Sequence, residues 1–201
     1  MNLRGAKLLV ATGNRGKLAE ISALLSPFSV SAVALTDLGL EEPEETEHSF
    51  AGNALLKARA GVKASGLVTL ADDSGLVVDA LGGAPGVYTA DWAEGAKGRD
   101  FGRAMAKTWG LLEAVRAAAP RKATFCCTLA LVRPDGDERV YAGRVTGQIV
   151  WPMRGGLGHG YDPIFVPDGY DTTFGEMEEA VKNKISHRAD AFAKLMKECF
   201  T

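Results

Sequence analysis

The sequence has little of what marks a disulfide scaffold, a membrane protein or a nucleic-acid binder. There are three cysteines in 201 residues, and Cys126, Cys127 and Cys199 show no metal-ligand spacing. Cys126 and Cys127 are neighbours in an apolar run, where an extended chain points them to opposite sides. Buried, reduced thiols and a cytoplasmic home are therefore the expectation. No apolar stretch approaches the roughly 20 residues of a membrane span, and the opening residues lack an apolar core followed by a cleavage site. Charge of one sign is missing too: 23 Lys and Arg against 25 Asp and Glu leave a net −2. No global field then draws nucleic acid or an anionic membrane, and any basic residue that matters acts locally. Internal repeats and low-complexity linkers are absent, while 46% hydrophobic residues suffice for a sizeable interior. The length fits one large domain or two small lobes sharing a core.

What is present centres on Thr69-Leu70-Ala71-Asp72-Asp73-Ser74-Gly75, an apolar run that delivers two adjacent carboxylates. Side chains alternate along a strand, so Asp72 and Asp73 share a pocket only if the strand ends there. Ser74 and Gly75 predict that it does. The pair reads either as an Asx turn capping a strand or as a holder of a divalent cation or a water.

Upstream, Leu8–Ala11 reads as a buried strand. Thr12-Gly13-Asn14-Arg15-Gly16-Lys17 then turns into a helix that stops before Pro27. Ala11 and Leu18 exclude a Walker motif. Glycines, a helix N-terminus and Lys17 still make an anion site, with a solvated lysine as the alternative. A second strand over residues 30–35 leads to the acidic run Glu41, Glu42, Glu44, Glu45 and Glu47, mostly solvated but able to supply one metal ligand. Ser49 starts a helix with Phe50, Ala54, Ala58 and Val62 inward and Gly66 at its end. Lys57 is expected to snorkel to solvent rather than reach a phosphate.

Further on, residues 82–88 predict a tight loop. Arg99–Ala118 predicts a long helix with Met105, Trp109, Leu112 and Val115 inward. Residues 123–133 and 139–150 predict a hairpin across Pro134–Asp137. The whole argues for an α/β fold with a mixed sheet flanked by helices. The glycine-dense run Gly155–Pro163 suits either a flexible loop or a backbone approach to a flat ligand. Ser186 caps a last helix whose first turn holds His187 and Arg188. Cations there oppose the helix dipole unless an anion or an electron-rich base lies nearby.

Six motifs in order resemble the inosine triphosphate pyrophosphatase family: Thr12-Gly13-Asn14-x-x-Lys17, Phe50-x-x-Asn53-Ala54-x-x-Lys57-Ala58, Ala71–Leu76, Gly82–Tyr88, Gly160–Phe165 and Ile185–Arg188. The resemblance implies an elongated α/β fold with a long mixed sheet and two lobes around an active-site cleft, one domain spanning 1–201. It also implies a homodimer and a Mg²⁺ requirement. The activity implied is hydrolysis of ITP, dITP and XTP to the monophosphate and pyrophosphate, with no nucleic-acid or membrane partner. Thr12, Gly13, Asn14, Arg15, Gly16 and Lys17 would hold phosphates. Glu44 or Glu45 with Asp73 would hold metal, and Asp73 would double as general base. Ser74, Lys57 and Lys182 would contact the triphosphate. His159, Gly160, Tyr161 and Asp162, with His187 and Arg188, would surround the base. Three positions depart from the family pattern: His159 stands for a stacking Phe, Gly52 for a Glu, and Asp91 for an Arg. The alternatives are a purine-nucleotide sensor without turnover and a same-fold pyrophosphatase acting on modified pyrimidines. Extra carboxylates beside a triphosphate weaken binding unless a metal or water is handled, which favours turnover over sensing.

Overall fold

Alternating apolar strands and capped helices build the chain in the order β1 (Lys7–Val10), α1 (Arg15–Leu25), β2 (Ser31–Ala34), α2 (Phe50–Ser65), β3 (Val68–Val78), α3 (Phe101–Ala114), β4 (Lys122–Val132), β5 (Glu138–Ile149), β6 (Phe165–Pro167), α4 (Glu179–Ile185) and α5 (His187–Cys199). This is a computed structural model, and it describes residues 3–96 and 98–200. The strands form one six-stranded sheet in the order β2-β1-β3-β4-β5-β6. β1 runs parallel to β2 and β3, across helical crossovers, and β6 runs antiparallel to β5. The mixed sheet flanked by helices is the architecture expected from sequence. Among the described residues no helix is long and apolar enough to cross a membrane.

The chain divides into two compact units. The first comprises Met1–Asp73, Cys127–Gly143 and Arg188–Thr201, and the second Ser74–Cys126 and Arg144–His187. In the first unit, alternation along the strands sorts two cores. Leu8, Val10, Leu70, Cys127 and Leu129 pack with Ile21 and Leu25 of α1 and with Ala191, Phe192 and Leu195 of α5. Leu9, Ala11, Ala71 and Ala130 pack on the other side with Ala54 and Ala58 of α2. The unit is therefore a sheet with helices on both faces. In the second unit, Phe125 lies 4.6 Å from Phe165, and both join Leu76, Val78, Met105, Leu112 and Phe174 in one core.

Two expectations are corrected. β3 does not end at Ser74; it continues to Val78, because Gly75, Leu76 and Val78 are buried in the strand rather than released into a turn. The helix predicted over 99–118 spans only Phe101–Ala114, capped by Asp100, which accepts from the Arg103 amide at 3.0 Å. Val115 does not join the core. The chain leaves the helix there, Arg116 takes a φ of 52°, and Val115 stays exposed.

Candidate active site

The site begins with β3. Because the strand is unbroken, Asp72 follows Leu70 onto the face covered by α1 and α5, while Asp73 follows Ala71 onto the face covered by α2. Both carboxylates are buried, so each needs partners on its own side.

Asp72 finds cations. Lys17 of α1 lies 3.1 Å from its Oδ2, and the Arg188 guanidinium donates to the same oxygen at 3.3 Å. Arg188 also donates to Glu20 of α1. Burial alone would raise the Asp72 pKa, but Lys17, Arg188 and Lys57 outweigh it and hold the carboxyl well below the usual range. The two cationic side chains at the starts of α1 and α5 are thus matched by buried carboxylates of the chain itself. Arg188, in the first turn of α5, is paired within the chain.

Asp73 finds the reverse. Asn53 Nδ2 donates to it at 3.0 Å, while Asn53 Oδ1 accepts the Glu47 amide at 2.9 Å and so ties the acidic segment to α2. Burial first, and then the nearby Glu45 carboxylate, push the Asp73 pKa up to about 6 against the pull of Lys57. Lys57, one turn beyond Asn53 on the same face, does not snorkel. It is 1% exposed, ion-paired to Glu45 and 3.3 Å from Glu42. Burial works to lower its pKa, but Asp72, Glu45 and Glu42 more than offset this and raise it. A lysine there can stay charged because Glu45 and Glu42 pair with it and the charge of Asp72 adds to theirs.

The turn before α1 is built as expected. Asn14 caps the helix, its side chain accepting from the Gly16 and Lys17 amides at 2.9 and 3.2 Å, and Thr12 Oγ1 accepts from the Asn14 amide at 3.2 Å. Arg15 is exposed. The Gly13 amide donates to Glu42 at 2.7 Å. Glu44 and Glu45 are both exposed, and Glu45 is the one that pairs with Lys57 and whose charge reaches Asp73. Among the described residues no group of three or more His, Cys, Asp or Glu side chains converges to hold a metal. The oxygen pair Glu45 and Asp73 is nevertheless a hard donor set of like charge, which fits a small divalent cation that keeps several waters.

The second unit holds the other predicted residues. Asp162 accepts from the His159 amide at 2.5 Å and from buried Lys182 at 2.5 Å, so Lys182 is anchored to the glycine loop. That loop folds on its own chain. A Cβ at Gly155, whose φ is +81°, would sit 1.9 Å from the Gly175 carbonyl, which accounts for the glycine without a ligand. Tyr161 is buried edge-on to Phe101, and its hydroxyl donates to the Thr89 carbonyl at 3.3 Å. His159 is exposed. His187 is buried with its ring stacked on Phe125 at 5.0 Å. Ser74 is half-buried at the start of this unit.

A model of the Ham1 family matches residues 8–198. The chain belongs to the Ham1 family. It is 56% identical to a dITP/XTP pyrophosphatase of Ruegeria pomeroyi, over 98% of this chain and 96% of that one. It is 54% identical to one of Caulobacter vibrioides, over 98% and 99%. Its fold superposes on the structure of a HAM1 protein from Coxiella burnetii with a TM-score of 0.88 at 34% identity, covering 96% of this chain and 98% of that one. The Gly52 departure has a local cause: a Cβ there would meet the Glu47 Cβ at 2.7 Å, so Glu47 fills the space. Sequence reasoning missed three residues of this Ham1 cluster: Glu20, Asn53 and Glu42. Glu20 and Asn53 carried a signal, since each is a polar residue at helical spacing from a site lysine, Lys17 and Lys57 respectively. Glu42 carried none, being one of five acids in a run.

Proposed function

We propose that this Ham1 chain is a nucleoside triphosphate pyrophosphatase that removes non-standard purine nucleotides (dITP, XTP and ITP) by hydrolysis to the monophosphate and pyrophosphate. The observation that carries the reading is the buried Asp73, held by Asn53 at 3.0 Å and near the Glu45 carboxylate that Lys57 pairs with. A site meant only to bind a polyanion gains nothing from two carboxylates of its own. Full-length identity to proteins named for this activity supports the same reading.

Glu45 and Asp73 would hold Mg²⁺, which when bound supplies charge neutralisation to phosphate oxygens. Asp73 orients the attacking water toward the α phosphorus and accepts its proton. An ordinary aspartate is a weak base at neutrality, and the rise to about 6 belongs to the metal-free site, so Asp73 would act on a water that the cation polarises when bound. Lys17, and Lys57 once released from a carboxylate, meet charge on the departing pyrophosphate. The resemblance gives the purine to His159–Asp162, His187 and Arg188. A homodimer, working in the cytoplasm, is the assembly that the resemblance supports.

The test is pyrophosphate release from dITP, XTP, dATP and dGTP with and without Mg²⁺. Turnover of dITP and XTP that needs the metal and exceeds that of dATP is expected. An Asp73→Asn variant should lose most of it, about 10²-fold or more. A wild-type chain that binds dITP and releases no pyrophosphate would be a sensor instead.

A further inference from the structure

Glu42 is a carboxylate that the proposed mechanism leaves idle, yet it sits on two donors that mechanism needs. Its Oε2 accepts from the Gly13 amide at 2.7 Å, and its Oε1 lies 3.3 Å from Lys57 Nζ. Its two oxygens span a strand-to-helix amide and a buried ammonium, as two oxygens of one phosphate group would. The fit at the turn is close, since a Cβ at Gly13 would stand 2.8 Å from Oε2. Lys57 is 1% exposed, whereas the Glu42 side chain keeps 29% exposure. Residues 40–47 carry no helix or strand, so Glu42 can swing out without breaking either. Lys57 would not be stranded by that departure, because Glu45 remains on it.

We propose that Glu42 is an internal stand-in for a substrate phosphate, holding the Gly13 amide and Lys57 until a polyphosphate displaces it. The inference rests on the triphosphate reading of the first unit. Binding is then an exchange of one anion for another. It keeps a buried lysine neutralised between turnovers, and it favours ligands with enough charge to compete. After hydrolysis the returning carboxylate helps expel the product anion.

The test is the affinity for inorganic tripolyphosphate in metal-free buffer, measured by calorimetry for wild type, Glu42→Gln, Glu42→Ala and Glu41→Gln. A stand-in that occupies the site about 70–90% of the time weakens apparent affinity by about 3–10-fold. Both Glu42 variants should therefore bind that much more tightly. Glu41, exposed in the same segment, removes the same charge and should change affinity less than about twofold, as a screened surface charge does. Unchanged or weaker binding in the Glu42 variants would overturn the proposal, and equal tightening by Glu41→Gln would reduce it to a general field. Loss of Mg²⁺ affinity in Glu42→Gln without tighter tripolyphosphate binding would make Glu42 a metal ligand, which also overturns it. Failure of the wild type to hydrolyse dITP, with the tightening intact, would sink the enzyme reading and leave the stand-in standing.

Discussion

At the scale of single residues, Arg188 is a buried cation shared by two carboxylates of the first unit. It is buried against Glu20 and Asp72, and Asp72 in turn holds Lys17. Removing one partner of a buried pair leaves uncompensated charge, at a cost of about 3–5 kcal/mol. Arg188→Ala is expected to lower stability by that amount in urea unfolding and to loosen Lys17, so its activity loss should extend to every triphosphate alike. A stability loss under about 1 kcal/mol would show that Glu20 and Asp72 are not truly desolvated. Asp73 and Lys17 were legible in the sequence because their motifs are distinctive and local. The division of labour between Asp72 and Asp73 was not, since it depends on β3 continuing past Ser74 and so sending the two side chains to opposite faces. Glu42 was illegible because its partner amide lies 29 residues away and nothing in an acidic run distinguishes one member.

At the scale of elements, helix caps and apolar spacing read well. Ser49 and Gly66 bound α2 where composition places them. Packing distances were beyond reach. Gly61 lets α2 press onto the sheet: a Cβ there would stand 2.6 Å from Thr69 Cγ2 and 3.1 Å from Leu9 Cδ2, both on buried strand residues. Gly110 of α3 has nothing within 4 Å of such an atom. Both glycines are helical, so alanine gains up to about 1 kcal/mol of propensity at each. At Gly61 overpacking costs about 1–3 kcal/mol. Chemical denaturation should therefore show Gly110→Ala stabilised and Gly61→Ala destabilised. The same sign for both would mean that α2 rides above the sheet with room to spare. The run Gly155–Gly160 illustrates the opposite ambiguity, since glycines needed for self-contact and glycines needed for a ligand are identical in sequence.

At the scale of the whole molecule, Asp72 and Asp73 respond to acid in opposite senses. The depressed Asp72 contributes stability that is complete above its ordinary pKa of 3.8 and is lost as pH falls below it. The raised Asp73 does the reverse. Its ionisation penalises the metal-free fold, with the penalty growing between 3.8 and about 6 and complete above that. The shift corresponds to about 3 kcal/mol at most. Without metal, Asp73→Asn should raise Tm at pH 8, by up to about 6–12 °C, and have little effect at pH 4, as read by scanning calorimetry. An equal shift at both pH values would remove ionisation as the cause.

The pairing of Arg188 also sets a timetable. It lies 168 residues downstream of Glu20 and 116 downstream of Asp72. A ribosome adding about 5–20 residues per second emits both carboxylates roughly 6–30 s before their guanidinium exists. Asp72 can take Lys17 as soon as both exist, but the guanidinium it shares with Glu20 comes only with α5. The same late helix brings Ala191, Phe192 and Leu195 onto the sheet face that α1 covers, so charge pairing and the last apolar cover arrive together at the end of synthesis.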